Sequence, residues 1–143
     1  MKKFADILVK HFISPAITIP PDLPVREAIT RLQQEGADLL SVVDGNKLAG
    51  AVSEANLLKL VRHEPASPMG DVVWFTELDP AQAAEPVSSI MTTNITTLGP
   101  QDTLAAAFRL MHSSGYKLLH VVEGSRLLGI IRIRDVLEQL LKE

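Results

Sequence analysis

The chain has no cysteine. That absence removes disulfide staples, thiolate zinc sites and cysteine nucleophiles together. A basic excess is missing too. Fourteen Lys plus Arg stand against 17 Asp plus Glu, for a formal net charge of −3, so nucleic acid is not expected as a partner. Long hydrophobic runs are also lacking. Asp6, Lys10 and His11 interrupt the apolar residues Phe4, Ile7 and Leu8, which argues against a signal-peptide core. Nowhere else does the sequence approach the roughly 20 apolar residues of a membrane span. These readings predict a cytoplasmic protein with no membrane partner.

Catalytic signatures are absent in the same way. There is no Gly-x-x-x-x-Gly-Lys-Ser/Thr phosphate loop, no Gly-x-Ser-x-Gly elbow and no His-Glu-x-x-His pair. His11, His63, His112 and His120 show no ligand spacing that repeats or clusters, so neither a metal centre nor catalysis is expected. What is present is a chain of 143 residues, 46% of them apolar, enough to bury a core.

That chain is internally repeated. Val25 to Leu58 aligns without gaps onto Leu104 to Leu137 at a constant offset of 79, with ten of 34 positions identical, among them the glycine pairs Gly36/Gly115, Gly45/Gly124 and Gly50/Gly129. Ile17-Thr18 and Ile95-Thr96 open the two copies, the second carrying one extra residue there. In the first copy Ile17 to Ile19 reads as a strand stopped by Pro20 and Pro21. Val25, Ala28, Ile29 and Leu32 then form the apolar stripe of a helix ending at Gly36. Two apolar runs joined by Asp44-Gly45-Asn46-Lys47 follow as a hairpin, and a last helix carries Leu57, Leu58, Leu60 and Val61.

The second copy repeats each element. The fold predicted is α+β, two pseudo-symmetric β-α-β-β-α repeats packed sheet to sheet, since one copy of about 50 residues buries too little surface alone. The boundaries read as an N-terminal helix over 1–13, a first repeat over 14–63, an acidic, proline-containing linker over 64–88 and a second repeat over 89–143. In the stretch Arg62 to Ser88, Glu64, Asp71, Glu77, Asp79 and Glu85 face a single arginine. Val72-Val73-Trp74-Phe75 forms a small apolar cluster there, read as a staple to the body or as a lid or partner contact.

The ordered set of elements, occurring twice, resembles the cystathionine β-synthase (CBS) domain pair, or Bateman module. The features that carry the resemblance are the Ile-Thr strand, the proline turn, the helix with Ala28 or Ala107, the Val-Val-Asp-Gly or Val-Val-Glu-Gly hairpin, and Gly-apolar-apolar before the last helix. The resemblance implies a regulatory, non-catalytic module that associates as a homodimer. It further implies binding of an adenosine-containing ligand of the AMP, ADP, ATP or S-adenosylmethionine type in the cleft between repeats, with no required cofactor, and modulation of a partner protein. The alternative is a ligand-free dimerisation module whose clefts its own side chains fill.

The family's ligand pattern, Gly-apolar-apolar-Ser/Thr-x-x-Asp, lies at a helix N-terminus, where free N–H groups favour an anion. Each copy keeps half of it. Ser53 stands with Asn56 in the first, and Arg132 with Asp135 in the second. Ser53 is also a good helix cap and Asp135 a favourable first-turn acid. Arg132 and Arg134 put two cations at the positive end of a helix, which calls for a carboxylate or phosphate nearby. Thr18 and Thr96 match the family's opening-strand threonine. Lys117 and His120, flanking the second copy's middle strand, complete the candidate ligand residues. Gly50 and Gly129 are expected where backbone or ligand approaches closely. The homodimer follows also from helices at Val25 to Glu35, Leu57 to Arg62, Leu104 to Ser113 and Val136 to Leu141, which carry more apolar positions than one pair of sheets covers.

Overall fold

A computed structural model describes residues 6–65 and 74–142; for 61–65 and 74–77 it describes the backbone. The chain forms two compact units. One holds Ile17–Asp44 and Ala49–Thr93; the other holds the leading segment through Ala16, the turn Gly45–Leu48 and Asn94–Glu143. Each repeat thus lends the segment that precedes it to the other repeat's unit.

In the first-repeat unit, β1 (Thr18–Ile19) runs parallel to β2 (Leu39–Asp44), with Thr18 opposite Ser41 and Ile19 opposite Val42. Between them lies α1 (Val25–Glu35), which Gly36 stops in the left-handed conformation at φ 59°. β3 (Lys47–Ser53) lies beside β2, and α2 (Glu54–Leu58) starts where it ends. The expected last helix stops at Leu58. Val61 instead opens β4 (Val61–Pro65), which pairs antiparallel with β5 (Trp74–Leu78). Val61, Trp74, Phe75 and Thr76 favour extended backbone, and Pro65 sits at the last pair, where its missing donor matters least. Val72, Val73 and Gly70 lie outside the described residues, as do the side chains of Trp74 and Phe75.

The rest of the expected linker is built into the same unit. Asp79 caps α3 (Pro80–Ala83) through its Oδ1, which accepts the Ala81 N–H at 2.9 Å. Val87 is fully buried, and its N–H donates to the Leu23 carbonyl at 2.8 Å.

The second-repeat unit follows the same plan. β6 (Thr97–Leu98) is parallel to β7 (Leu118–Glu123), which pairs antiparallel with β8 (Arg126–Arg132). α4 (Leu104–Ser114) is capped by Thr103 Oγ1, and α5 (Ile133–Lys142) closes the chain. Of the helix expected over 1–13, residues 1–5 lie outside the described residues, and a 3-10 turn spans Val9–Phe12. Its backbone is used elsewhere: the Val9 and Lys10 N–H groups donate to the carbonyls of Asp102 and Pro100, at 2.7 and 3.2 Å.

The two cores match position by position. Ile19, Val25, Ala28, Leu40, Val42 and Val52 are buried in one unit, and Leu98, Leu104, Ala107, Leu119, Val121 and Ile131 in the other. Val9 and Val87, from the leading segments, complete the pair.

Gly50 and Gly129 are explained by those segments. The Ser14 and Ile130 backbones exchange hydrogen bonds of 2.8 and 2.9 Å, as do Ala51 and Thr92 at 2.9 Å each. A Cβ on Gly129, whose φ is +154°, would stand 2.5 Å from the Ser14 carbonyl oxygen. One on Gly50 would stand 2.8 Å from that of Thr92, whereas at Gly99 the nearest atom is 3.7 Å away. Valine at 50 or 129 is expected to cost on the order of 1–3 kcal/mol or more by overpacking, and at 99 much less. Urea denaturation of the three variants checks this; equal losses would contradict it.

Candidate functional site

Strand alternation sends Leu119, Val121 and Ile131 into the second-repeat core, so Leu118, His120, Ile130 and Arg132 stand on the opposite face. Thr97 is the strand partner of His120, His120 of Ile130, and Leu118 of Arg132. Lys117 immediately precedes β7, and its carbonyl accepts the N–H of Ile133, the first residue of α5, at 2.7 Å. The entry to β7, the exit of β8 and the first turn of α5 therefore share one corner.

At that corner Asp135 Oδ2 accepts the Arg132 backbone N–H at 3.4 Å and its Nε–H at 3.3 Å. The carboxylate both caps the helix start and neutralises the arginine. The Arg132 side chain remains 41% exposed while that of Asp135 is 17% exposed, so this i,i+3 pair contributes about 0–1 kcal/mol. Arg134 does not join it. Exposed, and about 100° round the helix from Asp135, it lies on the side of Leu137 and Leu141.

The first copy is arranged alike but closed on itself. Asn56 Oδ1 accepts the Ser53 N–H at 2.9 Å and the Ser53 hydroxyl at 2.8 Å. Its Nδ2 donates to the Ile90 carbonyl and to Thr92 Oγ1, both at 3.2 Å. Each polar atom of the Asn56 amide is committed to holding α2 and the 90–92 segment together. Ser53 is a capping residue in a reciprocal capping box.

The strand register reassigns one position. Thr18 pairs with Ser41 and Thr97 with His120, so Thr97, and not Thr96, is the counterpart of Thr18 at the same offset of 79. Thr92 stands 78 residues after its counterpart Ser14, which places the second copy's extra residue upstream of the strand. Thr18, Thr96, Thr97 and Lys117 are exposed. Carrying the constant offset back from the helix would have found Thr97. No local signal in the sequence links Asn56 to Ile90 and Thr92.

His120 differs from the others in being only 2% exposed, as its counterpart Ser41 is at 1%. Desolvation lowers its pKa from 6.5 to about 4, so the imidazole is neutral near pH 7. Among the described residues no group of three or more His, Asp or Glu is placed to hold a metal ion, and no helix is long and apolar enough to cross a membrane.

A family model described as the CBS domain matches residues 6–63 and 87–142. An uncharacterized 33.4 kDa protein in a ribosomal RNA operon of Thermofilum pendens is 28% identical over 120 residues, covering 83% of this chain and 34% of that protein. An A-adding tRNA nucleotidyltransferase of Aquifex aeolicus is 26% identical over 139 residues, 96% of this chain and 15% of the enzyme. The chain thus corresponds to a minor part of each of these relatives. CBSX2, solved in complex with AMP, shares the fold at a TM-score of 0.76 and 23% identity, over 95% of this chain and 97% of that one.

Two outcomes are expected from the site without any ligand. Asn56→Ala removes a cap and leaves the Ile90 carbonyl without its donor, so it should cost about 1–3 kcal/mol, more than Asp135→Ala. Denaturation of both variants measures the order, and the reverse order would contradict it.

The second concerns pH. The native state keeps His120 neutral while the unfolded chain takes up a proton between about pH 6.5 and 4. Stability from this group is complete above that window and is lost as the pH falls through it. Between pH 6.5 and 4 the wild type should lose up to about 1.4 kcal/mol per pH unit more than His120→Gln. Parallel stability curves for the two proteins would rule this out.

Proposed function

The chain belongs to the CBS domain family, and from that premise we propose that it is a regulatory module which binds an adenine nucleotide at the first turn of α5 and signals the occupancy to a partner protein. The observation that carries the reading is the pairing of Arg132 with Asp135 at that helix start, where the Lys117 backbone also meets α5. Two cations beside the positive end of a helix call for more negative charge than one carboxylate supplies. A phosphate group meets that need through Arg132, Lys117 and the positive end of the α5 dipole. Asp135, whose second oxygen is not used by Arg132, suits the paired hydroxyls of a ribose. Thr97, exposed on the same sheet face, offers a hydroxyl to the sugar or base. The AMP bound by CBSX2 supports this ligand class, and S-adenosylmethionine is the other adenosyl ligand to be compared with it.

In this reading the first copy is the silent one, because Asn56 has no polar atom left for a ligand. The same observation favours a second reading, an assembly module that binds nothing, since Arg132 and Asp135 already pair with each other. Either reading includes a homodimer. In both, the protein acts through binding and carries no catalytic machinery.

Calorimetric titration with AMP, ADP, ATP and S-adenosylmethionine separates them. One site per chain is expected for the nucleotide that binds. Arg132→Ala and Asp135→Ala should each weaken it roughly ten- to a hundredfold, and Asn56→Ala less. Wild-type protein that binds none of the four would leave the assembly reading standing, and a loss confined to Asn56→Ala would move the site to the first copy.

A further inference from the structure

The two glycines that admit the leading segments are covered by different chemistries. A Cβ built on Gly50 would stand 2.7 Å from Met91 Sδ and 2.9 Å from its Cγ, so the thioether lies against the bare Cα. At Gly129 the corresponding place is taken by Ile13, which precedes Ser14 as Met91 precedes Thr92. Met91 packs on the first-repeat core and is partly exposed, and the three residues after it, Thr92 to Asn94, are exposed. The chain is held on either side of it. The Ile90 carbonyl and Thr92 Oγ1 both accept from Asn56 Nδ2 at 3.2 Å, and Thr92 exchanges backbone hydrogen bonds with Ala51.

We propose that Met91 is a modification site, a thioether whose oxidation by a peroxide releases the 90–92 segment from the rest of the first-repeat unit. The sulfur lone pair attacks one peroxide oxygen, the O–O bond breaks as the S–O bond forms, and the second oxygen leaves as water. Sulfur gives up the two electrons that the peroxide gains. The product is a sulfoxide, polar and a strong acceptor, where the thioether had made apolar contacts. Gly50 leaves that sulfur no free volume on its inner side, so the new oxygen is either buried without a donor or carried outward with the segment. The outward move breaks the bonds of Asn56 to Ile90 and Thr92, and with them the tie between α2 and the segment. Ile13 has no sulfur, so the second-repeat joint lacks the device. Met111, 2% exposed in the second-repeat core, is shielded from oxidant while the protein is folded. Neither nucleotide binding nor self-association is required for this response.

The absence of cysteine leaves the methionines as the main targets of hydrogen peroxide and makes the test clean. Folded protein is treated with peroxide, the oxygen gained by each methionine-containing peptide is followed by mass spectrometry, and urea denaturation is measured on the product. Met91 is expected to oxidise roughly tenfold faster than Met111 or more. The oxidised protein should have a folding equilibrium constant about five- to thirtyfold below that of untreated protein. Sulfoxide reductases with dithiothreitol should return it to the starting curve. Met91→Leu and Met91→Ile, which keep the other three methionines, should lose no stability on the same treatment. Equal oxidation rates at Met91 and Met111 overturn the proposal, as does unchanged stability once Met91 is fully oxidised. A loss that Met91→Leu shares in full belongs to another methionine and overturns it as well.

Discussion

Two short pairs of backbone hydrogen bonds hold the architecture in place: Ser14 with Ile130, and Ala51 with Thr92. Each joins a leading segment to the strand, β8 or β3, that runs directly into the next helix. The residue just before each bonded strand position must be glycine, because a Cβ there would press on the segment's carbonyl oxygen. Three residues after each glycine comes the residue that opens the last helix, Ser53 or Arg132. The position of both candidate sites therefore depends on a contact made by backbone alone, and side-chain chemistry could diverge between the copies without disturbing it.

Diverge it has. In the first copy a hydroxyl and an amide satisfy one another and tie down the 90–92 segment, an arrangement with no charge. In the second a guanidinium and a carboxylate occupy the same two places, 41% and 17% exposed and paired at 3.3 Å. An amide that donates to a carbonyl cannot be exchanged for a carboxylate without setting two acceptors against each other. Asn56 thus belongs to a structural joint, while both bonds of Asp135 to Arg132 use a single carboxylate oxygen, Oδ2.

Much of this was legible in the chain itself. The repeat, the helix stripes, the hairpins and the matching core positions all follow from local periodicity and a constant offset, signals that survive because burial demands them at every turn. The membership of Ser53, Asn56, Arg132 and Asp135 in equivalent places was legible for the same reason. The partners of Asn56 were not, since Ile90 and Thr92 lie 34 and 36 residues away and nothing local marks them. The β4–β5 pair was missed because Leu57, Leu58, Leu60 and Val61 read as one helical stripe, whereas the chain turns after Leu58 and β-favouring residues take over. The shift from Thr96 to Thr97 is a register effect, decided by which carbonyl faces which amide.

The exchange of leading segments has a consequence for how such a chain can be divided. Val9 completes the core of the second-repeat unit and Val87 that of the first, so a cut between the repeats gives two fragments that each retain the other's core residue. Each unit's core therefore draws on both halves of the polypeptide, and dividing the chain between the repeats parts Val9 and Val87 from the cores they complete.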